Sequence, residues 1–381
     1  MWVPVRESPD DAAAPSALRL HRSHDTALQV HAGPRARAHL RERGLSAADV
    51  RVIPAAAGGP KGLVLNPLDR FIFGHWLKEG AQTVHLLGAS IGAWRMASAC
   101  LADPDAALAQ LAADYIAQDY PHAPGKAPIS RDVSAMFGAR IDERFAARGG
   151  EILTQAHYRL HVLASRGRHV LRRDGPVRTP LGYAGAFAAN LVSRRALGGW
   201  LERVMFSDPR EPLPFALHDY RTRQVDLSAA NLCPGLLASC SIPFWLDAVH
   251  DIPGAPRGAY WDGGITDYHL HLDYAQMTQG LVLYPHFQPT VVPGWLDKSL
   301  KRRHGASARL DNVVLLVPSH DWIKASLPGG KLPDRSDFKA YGDDLAGRQA
   351  AWTRAVAESQ RLADEFAALL QRPSIEALPL A

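Results

Sequence analysis

The stretch Thr83-Val84-His85-Leu86-Leu87-Gly88-Ala89-Ser90-Ile91-Gly92 decides how this chain folds. Its first five residues form a short apolar run suited to a buried strand. Residues 91–100 read as the start of a helix, with no proline until Pro104. Between the two lies Gly88-Ala89-Ser90-Ile91-Gly92, a G-x-S-x-G pentapeptide at a strand-to-helix turn. Such a turn holds its serine on a sharp bend, with the hydroxyl clear of the sheet and at the positive end of a helix. Gly88 and Gly92 fit this role because a Cβ there would crowd the neighbouring strand and helix. The pentapeptide alone is a weak signal, since roughly one chain in ten of this composition carries it by chance. Its context gives it meaning.

Working outward, residues 50–56 read as a buried strand running into Gly58-Gly59-Pro60-Lys61-Gly62, and residues 63–78 have helical spacing despite Pro67. Residues 106–118 continue as helix, and 120–130 are a Pro-rich loop. Strands are expected at 158–165, 280–284 and 312–317, and Tyr260-Trp261-Asp262-Gly263-Gly264 ends a further strand in a turn. Residues 231–239 look helical. Residues 175–215, rich in Gly, Pro and small side chains, offer only a short amphipathic piece near 200–204. Residues 345–370 read as one long amphipathic helix. Strands alternating with helices predict a three-layer α/β fold, a mostly parallel central sheet with helices on both faces. The expected organisation is a flexible tail at 1–22, a catalytic domain at 23–290, and an extension at 291–381 packed on that domain.

The chain has 381 residues, 47% hydrophobic and 21% charged, enough for a large core. No window approaches the ~18 apolar residues of a membrane span, and the N-terminus lacks a secretory layout, so a cytoplasmic protein is expected. Cys100, Cys233 and Cys240 have neither disulfide nor metal spacing. The formal charge of +5 is mildly basic, with clusters at 166–173 and 298–303. The second follows Trp295 and Leu296, a mixture suited to peripheral contact with an anionic membrane as well as to a solvated face. No nucleic-acid-binding module accompanies the charge.

Two further features carry chemistry. The turn at Gly58, Gly59 and Lys61 follows the strand that precedes the Ser90 strand, and sites gather at the carboxyl ends of strands in α/β sheets. Its backbone N–H groups could hold an oxyanion or a phosphate, although the spacing is not that of a Walker A loop. Asp262-Gly263-Gly264 places a carboxylate behind buried aromatics. In a dry pocket that carboxylate would become a better base toward a serine hydroxyl.

These pieces, in this order, resemble the patatin-like phospholipases, whose signature is D-G-G-G-x-[RK]-G, then G-x-S-x-G, then D-G-[GA]. Here they are Ala56-Ala57-Gly58-Gly59-Pro60-Lys61-Gly62, Gly88-Ala89-Ser90-Ile91-Gly92 and Asp262-Gly263-Gly264. Ser239-Cys240-Ser241-Ile242-Pro243-Phe244 is similar to the family's stretch before its aspartate. The resemblance covers about residues 48–285. Ala56 and Ala57 depart from it, which shifts the expected donors toward Gly58 and Gly59.

The resemblance implies a Ser-Asp dyad. Ser90 would attack an acyl ester while Asp262 takes its proton, with Gly58, Gly59 and Lys61 at the oxyanion and no cofactor or metal. The implied substrate is a phospholipid, lysophospholipid or neutral glyceride. The residues leave other readings open. A Ser90…Asp262…His286 or His320 order would suit a triad esterase. An acyltransferase differs only in its acceptor, and a silent lipid-binding scaffold would use the same pocket. Oligomeric state is not legible in the sequence.

Overall fold

The computed structural model describes residues 26–120 and 128–381. The tail expected at 1–22 and most of the Pro-rich loop fall outside the described residues. Among the described residues eleven strands form one mixed, mostly parallel sheet flanked by helices, which is the expected α/β class. They are β1 (Leu28–Ala32), β2 (Val50–Ala55), β3 (Val84–Ala89), β4 (Tyr158–Gly167), β5 (Leu201–Ser207) and β6 (Thr222–Asp226). The remainder are β7 (Val249–His250), β8 (Ala259–Asp262), β9 (Leu281–Pro285), β10 (Val313–Pro318) and β11 (Leu378–Pro379). The order is β11-β1-β10-β9-β2-β3-β4-β5-β6, with β8 paired to β4 and β7 to β8.

The run β10-β9-β2-β3-β4 is parallel throughout. Its strands are buried on both faces, which is why β9 (Leu-Val-Leu-Tyr-Pro) and β10 (Val-Val-Leu-Leu-Val-Pro) read as continuous apolar runs without alternation. The residues beyond 290 supply an interior strand, because β10 lies between β1 and β9.

Three local expectations are corrected. The helix expected at 63–78 is divided into a 3-10 turn Gly59–Leu65, an α-helix Asn66–Gly74 and a second 3-10 turn Trp76–Glu79. Pro67 lacks an N–H and can sit only in the first turn, so the α-helix starts beside it. The helix expected at 345–370 is two helices, Leu345–Glu358 and Gln360–Leu370. The buried Ser359 Oγ donates to Ala355 O at 2.7 Å, a back-bond of the kind that bends helices.

Within 175–215, the irregular expectation gives way to a helix, Arg178–Val192, and to β5 at the site of the amphipathic piece. The strand was hidden because two of its inward residues are charged. Glu202 takes Arg166, while Arg203 pairs bidentately with Asp267 at 2.7 and 2.5 Å. Buried charges survive only when paired in this way.

Candidate active site

The sheet explains how two residues 172 positions apart come into contact. β3 runs parallel to β4 and ends with Ala89 opposite Leu163. β8 runs antiparallel to β4 and ends with Asp262 opposite Ala164. β5 occupies the other edge of β4, so β3 and β8 lie on one edge and point at each other. Ser90 and Asp262 are the residues where the two strand ends meet.

Ser90 stands at φ 56°, ψ −132°, a strained conformation for a residue with a Cβ. The surroundings hold it there. Its N–H donates to Ser239 Oγ at 2.9 Å, and that hydroxyl donates to Leu163 O at 2.6 Å. On the far side of the turn, a Cβ at Gly92 would lie 2.0 Å from Ala55 O, so only glycine allows the helix Ile91–Ala99 to approach the end of β2. Gly88 is similarly enclosed by Ala93.

Ser90 Oγ donates to Asp262 Oδ2 at 2.7 Å, and both side chains are buried. The Gly264 N–H donates to Asp262 Oδ1 at 2.7 Å. The Asp262 N–H is tied to Ser241 O, and that of Gly263 to Ser239 O. The end of the helix Ala229–Cys240 therefore clamps both halves of the pair. Burial pushes the Asp262 carboxyl up from 3.8 to about 6, against the opposing pull of the Ser90 hydroxyl, Arg335, the Gly264 N–H and Lys298.

At the glycine turn, the Ala57 N–H is committed to Tyr268 O at 2.9 Å. The N–H groups of Gly58 and Gly59 have no such acceptor among the described residues, and Gly59 takes a positive φ of 56°. Gly58 packs on the Phe287 ring with no room for a Cβ, while Gly59 faces Arg335. Lys61 Nζ lies 3.9 Å from Asp334 and 5.8 Å from the Phe287 centroid.

Two cavities meet at Ser90. One, of about 940 Å³, is mostly apolar, with Ile91, Trp94, Val133, Phe137 and Leu246 among its walls and Arg335, Lys339 and Arg348 among its charged lining. The other, of about 230 Å³, holds Gly58, Lys61, Asp262, Lys298 and Arg335. Asp334, which pairs with Lys61, lines it too, while Lys298 and Arg335 make no ion pair among the described residues, so the three cations outnumber the two carboxylates. Lys298 Nζ sits 4.2 Å from the Tyr268 centroid, and burial, together with Lys61 and Arg335, pushes its pKa down to about 8.

The structure thus gathers Ser90, Asp262, Gly58, Gly59 and Lys61 around one point, with Gly88, Gly92, Gly263 and Gly264 shaping the backbone beneath. Sequence reading missed Arg335 and Lys298 as site residues. Lys298 belonged to a cluster read as surface charge. In the fold that cluster divides: Lys298 enters the site, Arg303 Nη1 binds the buried Asp297 at 2.7 Å, and Lys301 and Arg302 face water. No sequence signal marks Arg335, which arrives on a turn 245 residues after Ser90.

Among the described residues no histidine takes the place a triad requires. Asp262 gives its two oxygens to Ser90 and Gly264, and no histidine lines either cavity among the described residues. His286 is buried against Gln288 O at 2.6 Å and is held near pKa 3 by burial. His320 is 76% exposed beside Asp321.

No family model matches the chain, and no curated protein matches it. Among solved structures, the chain is similar to one described as "Human GIVD cytosolic phospholipase A2". The TM-score is 0.41 and the identity 11%, over 87% of this chain and 61% of that one. The chain thus spans about three-fifths of that protein's length. A likeness this distant carries no weight for the site. Among the described residues no helix is long and apolar enough to cross a membrane.

Proposed function

We propose that this protein is a serine acyl-ester hydrolase acting on lipid esters through a Ser90–Asp262 dyad. The observation that supports it is the 2.7 Å hydrogen bond from Ser90 Oγ to a buried carboxylate, placed where an apolar cavity meets a cationic one. In this reading the acyl chain occupies the larger cavity, whose volume suits a ligand of that size. Ser90 Oγ attacks the ester carbonyl as its proton passes to Asp262 Oδ2, and the Gly58 and Gly59 N–H groups receive the oxyanion. The alcohol leaves with that proton. Water, deprotonated by Asp262, then attacks the acyl-Ser90 carbonyl and releases the acid. A raised carboxyl pKa suits the task, because a base that titrates near neutrality accepts a proton more readily than an ordinary carboxylate.

The cationic side supports a finer reading, an ester whose alcohol portion carries an anionic group such as a phosphate near the scissile bond. Lys298 and Arg335 would face that group. The decisive experiment is turnover of a medium-chain p-nitrophenyl ester and of labelled phosphatidylcholine by wild type, Ser90→Ala and Asp262→Asn. Loss of turnover in both folded variants is expected. Full activity in Asp262→Asn would defeat the dyad.

A further inference from the structure

The helix Arg178–Val192 is built inside out. From Thr179 to Val192 it carries no charged residue. Its polar side chains turn inward: Thr179, Tyr183 and Asn190 are buried, and Asn190 Nδ2 donates to Asp297 Oδ1 at 2.7 Å. Its outward face is apolar, with Leu181 63%, Leu191 42% and Val192 81% exposed, alongside Phe187. The exposed face of a surface helix on a globular protein normally carries the charges. Scattered exposed apolar residues are ordinary, but a contiguous face marks a contact surface.

Two observations say what covers this face. The first is charge. At the helix N-terminus, Arg172, Arg173, Arg178 and Arg257 line a groove of about 790 Å³ with His169 and His250. Asp251 is the single carboxylate lining it, and none of these four guanidiniums makes an ion pair or side-chain hydrogen bond among the described residues. The second is continuity with the candidate site. The Tyr183 ring of this helix packs 5.9 Å from Phe244, and Phe244, Trp245 and Trp295 line the mouth of the cationic cavity with large exposed surfaces. Phe244, Trp245 and Trp295 therefore give the opening above Ser90 an exposed aromatic rim beside this helix, whose N-terminal end carries the unpaired arginines.

Apolar and aromatic side chains beside unpaired cations match the acyl-headgroup boundary of an anionic bilayer. We infer that the outward face of Arg178–Val192, together with Phe244 and Trp245, docks the protein on an anionic lipid surface, with the four arginines against headgroup phosphates. The docking stands independently of the Ser90–Asp262 reading. Its use, opening the site toward esters held in a bilayer, rests on that reading.

The test is sedimentation of the full chain carrying Ser90→Ala, which leaves the vesicles intact, with phosphatidylcholine vesicles and with vesicles about one-third phosphatidylglycerol. The expected result is binding to the anionic vesicles about tenfold tighter than to the neutral ones, weakening as salt rises. Leu181→Glu/Leu191→Glu should lower the anionic affinity about tenfold, and Arg173→Glu/Arg178→Glu should erase the preference. Leu181→Gln/Leu191→Gln serves if the acidic pair fails to fold by near-UV circular dichroism. Absence of vesicle binding, or equal binding by wild type and folded variants, overturns the inference. So does a dimer in wild type that the leucine variants convert to monomer, which would assign the face to a second copy. Turnover of a water-soluble ester by the Ser90 protein is measured separately, and its absence would count against the dyad alone.

Discussion

Replacing Asp262 by asparagine should make the protein more stable at neutral pH while removing the proposed ester hydrolysis. The carboxyl is raised from 3.8 to about 6 because its charged form is buried. At pH 7.5 the folded state therefore carries an ionised group that it disfavours by about 3 kcal/mol relative to the unfolded chain. A raised carboxyl pKa means that the folded state binds more protons between pH 4 and 6. Stability accordingly falls as pH rises through that window, and the penalty is constant above it. Asparagine has nearly the same shape and keeps an acceptor for the Gly264 N–H. It loses the charge-assisted bond to Ser90, which offsets about 1 kcal/mol of the gain. Urea denaturation should then show Asp262→Asn ahead by about 2 kcal/mol at pH 7.5, an advantage that shrinks by about 2 kcal/mol on going to pH 4.5. Groups elsewhere titrate in both proteins and cancel in the difference. Wild-type turnover should rise with pH about a midpoint near 6, and the variant should lose 10²–10⁴-fold or roughly so. The reasoning is refuted if the variant is less stable at pH 7.5, if its advantage does not change with pH, or if turnover is flat from pH 5 to 8.

Other substitutions probe the supports of the pair. Ser239→Ala leaves the Ser90 N–H and Leu163 carbonyl without their shared hydroxyl. It should cost about 2–4 kcal/mol by urea denaturation, with a lower kcat and little change in KM. On matched esters with and without a phosphate, Lys298→Gln/Arg335→Gln should reduce the preference for the phosphate form, measured as a ratio of kcat/KM, about tenfold. An unchanged ratio would remove the headgroup role. His286→Gln and His320→Gln should each keep turnover within about threefold of wild type, while a loss comparable to that of Ser90→Ala would restore a histidine base.

Much of the candidate site was legible because its parts are local. The Ser90 turn, the glycine turn at Gly58 and the Asp262 turn each announce themselves through glycines whose backbone space no other residue fits, as the Gly92 contact with Ala55 O makes plain. The parallel core was legible for a similar reason, since strands buried on both faces must be apolar at every position. The helix Arg178–Val192 was not. Periodicity assigns apolar residues to the inside, and this helix keeps its polar side chains inward while its apolar ones face outward. The charged strand β5 escaped as well, because Arg203 and Glu202 find partners supplied by distant segments.

The sequence by itself determined the class of fold, through apolar strands alternating with helices, and the turns at Gly58, Ser90 and Asp262, each of which follows from backbone sterics over five to seven residues. Tertiary structure alone decided that β3 and β8 meet end to end along β4, bringing the two side chains within hydrogen-bond distance. It alone turned Lys298 and Arg335 into the same cavity and left the histidines among the described residues outside it. Distance across a sheet, burial and unmatched charge are properties of which segments become neighbours, and that neighbourhood comes into being only when the whole chain packs.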